Sequence, residues 1–305
     1  MVPQKFVASC ADADWSFLET APALSQLAGV LAGFVFAGIV MLLSRPIVAN
    51  NQVQTLSLFL AGFITLALDS YLFAAMTGDS PAPALCVRSR SVGLIASGLL
   101  GLGGVAILAG ISWLLATAVV STGKKAKRLQ NELRTLELFT QFVLYGTAFS
   151  IGAFVAITAV DFLVYGLGDR APSGLNWYAV VYMVIFAAML GASRYRKRRS
   201  PEPSERFLTF AIFWTVSYAV VGSVGTTAIM TPTAVQWLSA PTGLIWAIAA
   251  FTMLGALPAV LALVHAVPQL KISVGNARTG RAQLEPSRPA PPTPAGSVNA
   301  AEETT

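Results

Sequence analysis

The sequence predicts an all-α, polytopic integral membrane protein: a seven-transmembrane-helix bundle with its N-terminus outside and its C-terminus cytoplasmic. The composition is the first reason. Of 305 residues, 55% are hydrophobic and 11% charged, against about 25% charged in a soluble domain. The second is length: a hydrocarbon core of roughly 30 Å needs about 20 apolar residues at about 1.5 Å each. Stretches of that kind lie at about 24–44, 54–76, 92–120, 139–165, 176–193, 207–229 and 241–267. The third is charge placement, because basic loops resist translocation. With an external N-terminus, sixteen of the twenty basic residues fall inside: Arg45, Lys124 to Arg134, Arg194 to Arg206, and Lys271, Arg278, Arg281 and Arg288. Lys5, Arg88, Arg90 and Arg170 stay outside.

Residues 1–23 then form an extracytoplasmic tail, 24–270 the membrane domain and 271–305 a cytoplasmic tail. The N-terminal tail carries no cleavable signal, having one basic residue before Ser9 and too short an apolar core. Its "VASC" (7–10) has the look of a lipobox, but the topology gives Cys10 a better role. Cys86, the other cysteine, falls in the loop between the second and third spans, also outside, where disulfides persist. A Cys10–Cys86 bond would pin the tail, with "DADWSFLE" (12–19) as a tethered lid, over the outer face.

In the first span Gly29 and Gly33 form a small-xxx-small pair, and "GLGGVAILAG" (101–110) in the third supplies small residues for close helix packing rather than a phosphate cradle. Between the third and fourth, "KKAKRLQNELRTLEL" (124–138) is amphipathic, with Leu129, Leu133 and Leu136 on one side. It suits an inner-leaflet helix or an extension of the adjoining spans. "SRYRKRRS" (193–200) is a cytoplasmic flank touching anionic headgroups, not a nucleic-acid site. The uncharged stretch from Phe207 to Leu270 is too long for one crossing, and "TPTAVQWLSAP" (231–241) divides it through Pro232 and Pro241. Trp177, Tyr178 and Trp237 mark the outer rim. In the seventh span Pro258 frees the carbonyl of Leu254, a kink and candidate hinge. His265, near the inner boundary, is an interfacial side chain whose ordinary pKa of about 6.5 would suit pH sensing. The C-terminal tail, rich in Pro, Ala, Thr and Ser, cannot bury enough apolar surface to order itself.

Any chemistry therefore belongs to the bundle. One histidine and two external cysteines supply no metal-ligand spacing, and no Walker loop or catalytic set can be assembled. No catalytic residue, metal or cofactor is implied, and the seventh span lacks the lysine a retinal protein needs. What stands out is acid. At 100° per residue, Thr140, Thr147, Ser150, Thr158, Asp161 and Tyr165 fall within about 80° on the fourth span, and Gln54, Gly62, Thr65 and Asp69 do so on the second. Both stripes are expected to face inward, with the aspartates meeting at similar depth and no lysine or arginine in the spans to pair with them. "ALDSYLFAAMTGD" (67–79) resembles "AVDFLVYGLGD" (159–169), and "AGIVMLL" (37–43) resembles "AGISWLL" (109–115), through duplication of a hairpin or through shared small-residue composition. Intramembrane acids mark ion or proton pathways by default.

The expectation is thus a small proton- or cation-linked permease or channel using Asp69, Asp161, Thr65, Thr158 and Tyr165. The alternative is a non-catalytic membrane subunit or sensor that binds a protein partner, or a second copy of itself, through its basic loops or tail. Arginine outnumbers lysine 14 to 6, as in chains from GC-rich bacterial genomes, which places the expectation in a bacterial plasma membrane.

Overall fold

The computed structural model describes residues 17–44, 50–77, 83–121, 127–199, 205–230 and 242–267. Every regular element among them is helical: α1 Phe17–Leu43, α2 Asn50–Met76, α3 Pro83–Ser121, α4 Lys127–Leu167, α5 Leu175–Arg199, α6 Glu205–Met230 and α7 Thr242–Ala266, with a 3-10 turn at Gly168–Arg170. All seven α-helices are long and apolar enough to cross a membrane.

Three boundaries differ from expectation. α1 begins at Phe17, so the described end of the anticipated lid is helix, with Pro22 inside its second turn. α3 begins at Pro83, with proline at the first helical position, and this carries Arg88 and Arg90 out of a loop and onto a helix. α4 runs unbroken from Lys127, so the amphipathic segment extends a span rather than forming a separate helix. α4 ends where Gly168 takes φ 52°, and α5 starts after Gly174 at φ 98°, conformations that glycine alone adopts without strain.

The bundle is organised around α3, which packs against α1, α2, α4, α6 and α7. In its most apolar stretch 67% of residues are buried, against 22% in α1 and 17% in α5, which lie at the periphery. Glycines set the approach. A Cβ on Gly103 would lie 2.7 Å from Leu66 Cγ, and one on Gly110 2.7 Å from Phe59 Cε1; Gly101 receives Ile151 of α4 in the same way. The glycine run is therefore packing surface. Between helices in a bilayer, where lipid tails are as apolar as leucine, contacts of this kind rather than hydrophobic driving force favour association.

α1 is tied to α2 by two serines. Ser25 Oγ donates to the Ser70 carbonyl and Ser70 Oγ to the Ser25 carbonyl, both at 2.9 Å. Gly29 closes the same seam, where a Cβ would stand 3.2 Å from Ser70 Oγ, but a Cβ on Gly33 would meet nothing within 4 Å, so only half of the expected small-residue pair is used. Interhelical bonds of this kind are worth about 0.6 kcal/mol each and rarely exceed about 1.7 kcal/mol. The Ser25→Ala, Ser70→Ala double variant should therefore lose about 1–2 kcal/mol, read as a lower thermal midpoint for retention of the monodisperse peak in detergent.

Candidate functional site: a buried carboxyl between three helices

The seam of α2 on α3 follows a three-four spacing: Phe59, Gly62, Leu66, Asp69, Phe73 and Met76, all buried. Phe59 meets Gly110, Gly62 meets Ala106 and Leu66 meets Gly103, an antiparallel pairing. One further turn sets Asp69 level with Leu99. A second buried flank of α2, Leu58, Ala61, Thr65 and Leu72, points away from Ser70 and the α1 seam. The remaining neighbour of α2 is α6. Asp69 lies between the two flanks and so points into the junction of α2, α3 and α6.

On α6, a Cβ on Gly222 would stand 3.2 Å from Ile95 Cγ2 of α3, and the Tyr218 hydroxyl lies against Gly98. These pairs bring Thr215 and Ala219 to the level of Asp69. The α7 side of α6 is fixed by Trp214, whose Nε1 donates to the Gly255 carbonyl at 2.9 Å. The flank left for α2 carries Thr215, Ala219, Ser223 and Thr226, all buried. The junction is therefore edged with hydroxyls.

Asp69 is fully buried, and neither carboxyl oxygen has a hydrogen-bond partner among the described residues. The hydroxyls around it are oriented elsewhere. Thr65 Oγ1 donates to the Ala61 carbonyl at 2.7 Å, Thr215 Oγ1 to Ala211 at 2.7 Å, and Thr226 Oγ1 to Gly222. With their protons spent on backbone, these threonines offer only lone pairs. An ionised carboxylate without donors in such a place costs several kcal/mol. A carboxylic acid that brings its own proton, or a small cation shared among oxygens, satisfies the same geometry. Ser223 Oγ, one to two turns along α6, is also buried without a partner among the described residues.

Asp161 is placed differently. It is exposed on the perimeter of α4, as is Ser150, while Thr158 turns its hydroxyl back to the Phe154 and Val155 carbonyls at 2.8 and 3.1 Å. The inward face of α4 is instead small and apolar, with Ala148, Val155, Ala156 and Ala159. That face wins because it admits α3, α5 and α7 closely: Ile151 fills the space at Gly101, Phe186 that at Gly152, and Ile245 that at Gly166. α2 and α4 pack on α3 rather than along one another. The expected meeting of the two aspartates is corrected accordingly: they do not share a junction.

The expectation that no cation lies near them is also corrected. Arg90 Cζ stands 3.4 Å over the Tyr165 ring, and the Arg90 charge reaches Asp161. Sequence reading missed this because Arg90 was taken for loop. It missed the α6 hydroxyls too, although Thr215, Ala219, Ser223 and Thr226 repeat at helical spacing.

Pro258 lies within α7, and the carbonyls on either side of the one it frees are both held. Tyr182 Oη donates to Met253 at 3.1 Å and Trp214 Nε1 to Gly255. These ties to α5 and α6 oppose free bending at the candidate hinge. His265 packs between helices rather than standing free at a rim: Ser193 Oγ is 3.3 Å from its Nδ1 and the Phe207 ring 4.8 Å from its own. Cys10, the Cys86 side chain and residues 231–241 lie outside the described residues, and so does the anticipated disulfide. Trp177 and Tyr178 are exposed at the start of α5.

Among the described residues, seven helices are long and apolar enough to cross a membrane, and the carboxyl of Asp69 is enclosed where three of them meet. Comparison with models of protein families, with curated proteins and with solved structures finds no match.

Proposed function

We propose that this chain is a small proton- or cation-linked permease or channel in which Asp69 is the group that takes up and releases the ion. The reading rests on one observation: a carboxyl with no solvent exposure and no hydrogen-bond donor among the described residues, edged by hydroxyls that offer lone pairs. A group held only for packing gains nothing from such a position, whereas an ion site needs unsatisfied oxygen. The proton is the simpler occupant, because a bare cation of the calcium or magnesium kind asks for about six oxygens. The protonated acid brings its own proton into a junction edged by the buried Thr65 and Thr215 hydroxyls, and the Ser223 and Thr226 hydroxyls continue the α2–α6 seam along α6.

In this reading the N-terminus is outside, the C-terminus is in the cytoplasm of a bacterial cell, and the basic clusters touch anionic headgroups. Protease added to sealed right-side-out membranes should then spare the 271–305 tail, and cleavage of the tail there would reverse the orientation.

The test of function is flux. Proteoliposomes holding the wild-type chain and a pH-sensitive dye should acidify under an imposed potential; those holding Asp69→Asn should not. Asp161→Asn, outside the junction, should leave the flux unchanged. Absence of flux in the wild type with both protons and sodium would favour the non-catalytic subunit or sensor.

A further inference from the structure

We infer that the rim formed by Arg90, Tyr165 and Asp161 is a binding site for a phospholipid headgroup carrying a primary ammonium, of the phosphatidylethanolamine type. This is independent of the Asp69 reading. Depth is the first argument. The α4 span Leu138–Leu167 has 30 residues, about 45 Å at about 1.5 Å each, against a core of roughly 30 Å. Centred, it overhangs by about 7 Å at each end, and Asp161, six residues from Leu167, lies about 9 Å from that end. The carboxyl thus sits at the boundary between acyl chains and headgroups. Arg90 enters from the facing end of α3, three residues into its span Val87–Leu115.

Chemistry is the second argument. The Tyr165 ring covers one face of the Arg90 guanidinium at 3.4 Å, which orients the group while leaving its edge, with paired N–H donors, without a partner among the described residues. That edge matches two phosphate oxygens. Asp161 is exposed and, among the described residues, has neither hydrogen bond nor ion pair; its one polar relation is the charge of Arg90. A cation edge stacked on Tyr165 and a carboxylate one helical turn before that ring, both without a partner among the described residues, present the mirror of a phosphate joined by two carbons to an ammonium. Arg170 at the same end is exposed too, so charge alone would select an anionic lipid. Asp161 reverses that preference, and a quaternary ammonium, having no N–H, would not satisfy it.

The full chain in detergent, exposed to equal amounts of phosphatidylethanolamine, phosphatidylcholine and phosphatidylglycerol, should retain the first in native mass spectra. The preference should be on the order of ten-fold, the worth of one charge-assisted pair. Asp161→Asn should keep lipid but lose the preference for the ammonium headgroup. Arg90→Gln should lose retention of all three, and Arg90→Lys, which keeps charge without the fork, should fall between. Equal retention of the three by the wild type, preference for phosphatidylglycerol, or an unchanged preference in Asp161→Asn would overturn the assignment. So would retention of soluble phosphoethanolamine without retention of the lipid.

Discussion

Asp69→Leu should abolish flux and yet make the protein more stable. Leucine keeps aspartate's branching at Cγ, with two methyl groups in place of the two oxygens, and is the larger side chain, entering a seam already lined by Leu66, Phe73 and Met76. Replacing a buried polar group that lacks partners with an apolar side chain is neutral or favourable, and here the gain should be about 1–3 kcal/mol. Asp69→Asn does not share the gain, since its amide stays polar and its carbonyl oxygen still meets no donor among the described residues. The pair of variants therefore separates ion binding from packing. A packing acid would lose stability on either change, whereas an ion site loses function on both and gains stability on one. Thermal melts in detergent read the first quantity and dye-loaded proteoliposomes the second. Sites that hold strain or unsatisfied groups for function commonly stabilise when mutated.

Gly103→Val should be the most damaging single change in the bundle. Its Cβ would stand 2.7 Å from Leu66 Cγ and 2.8 Å from Leu66 Cδ2, and Leu66 is itself fully buried with nowhere to move. Overpacking a filled interior costs about 1–3 kcal/mol. This seam also fixes the level of Asp69 against Leu99, so flux should fall with stability. Gly104→Val, one residue on, meets nothing within 4 Å and serves as the control. Equal melting midpoints for the two variants would show that α2 and α3 are not packed through Gly103.

Much of the fold was legible because hydropathy and helix length act along one dimension. Seven apolar stretches give seven helices among the described residues, and the long uncharged stretch carries two of them, Glu205–Met230 and Thr242–Ala266. The starts were less legible. Arg88 and Arg90 argued for a loop, and only Pro83 at the first helical position argued otherwise; a guanidinium that reaches headgroups tolerates a helix end that composition alone would exclude.

The site was legible by half. Helical projection showed which residues share a face but not where the face points. "ALDSY" and "AVDFL" look alike and lie at similar depth, yet Asp69 faces the junction and Asp161 the perimeter. The difference lies in the residues around them. On α2 the polar stripe includes Gly62, which packs against Ala106 and Ile107 of α3. On α4 the small residues Ala148, Gly152, Ala156 and Ala159 form their own stripe, which takes the inward position and turns the polar one out. Where a helix carries both stripes, the small one decides its rotation.

Infrared difference spectroscopy of the wild-type chain against Asp69→Asn, in lipid at neutral pH, addresses the enclosed carboxyl directly. A carbonyl stretch of a neutral carboxylic acid, shifted by deuterium oxide and missing from the variant, is the result expected of a proton held among α2, α3 and α6. A pair of carboxylate bands in its place, unaffected by sodium, would mean that Asp69 is ionised in contact with donors, and the site described here would not exist.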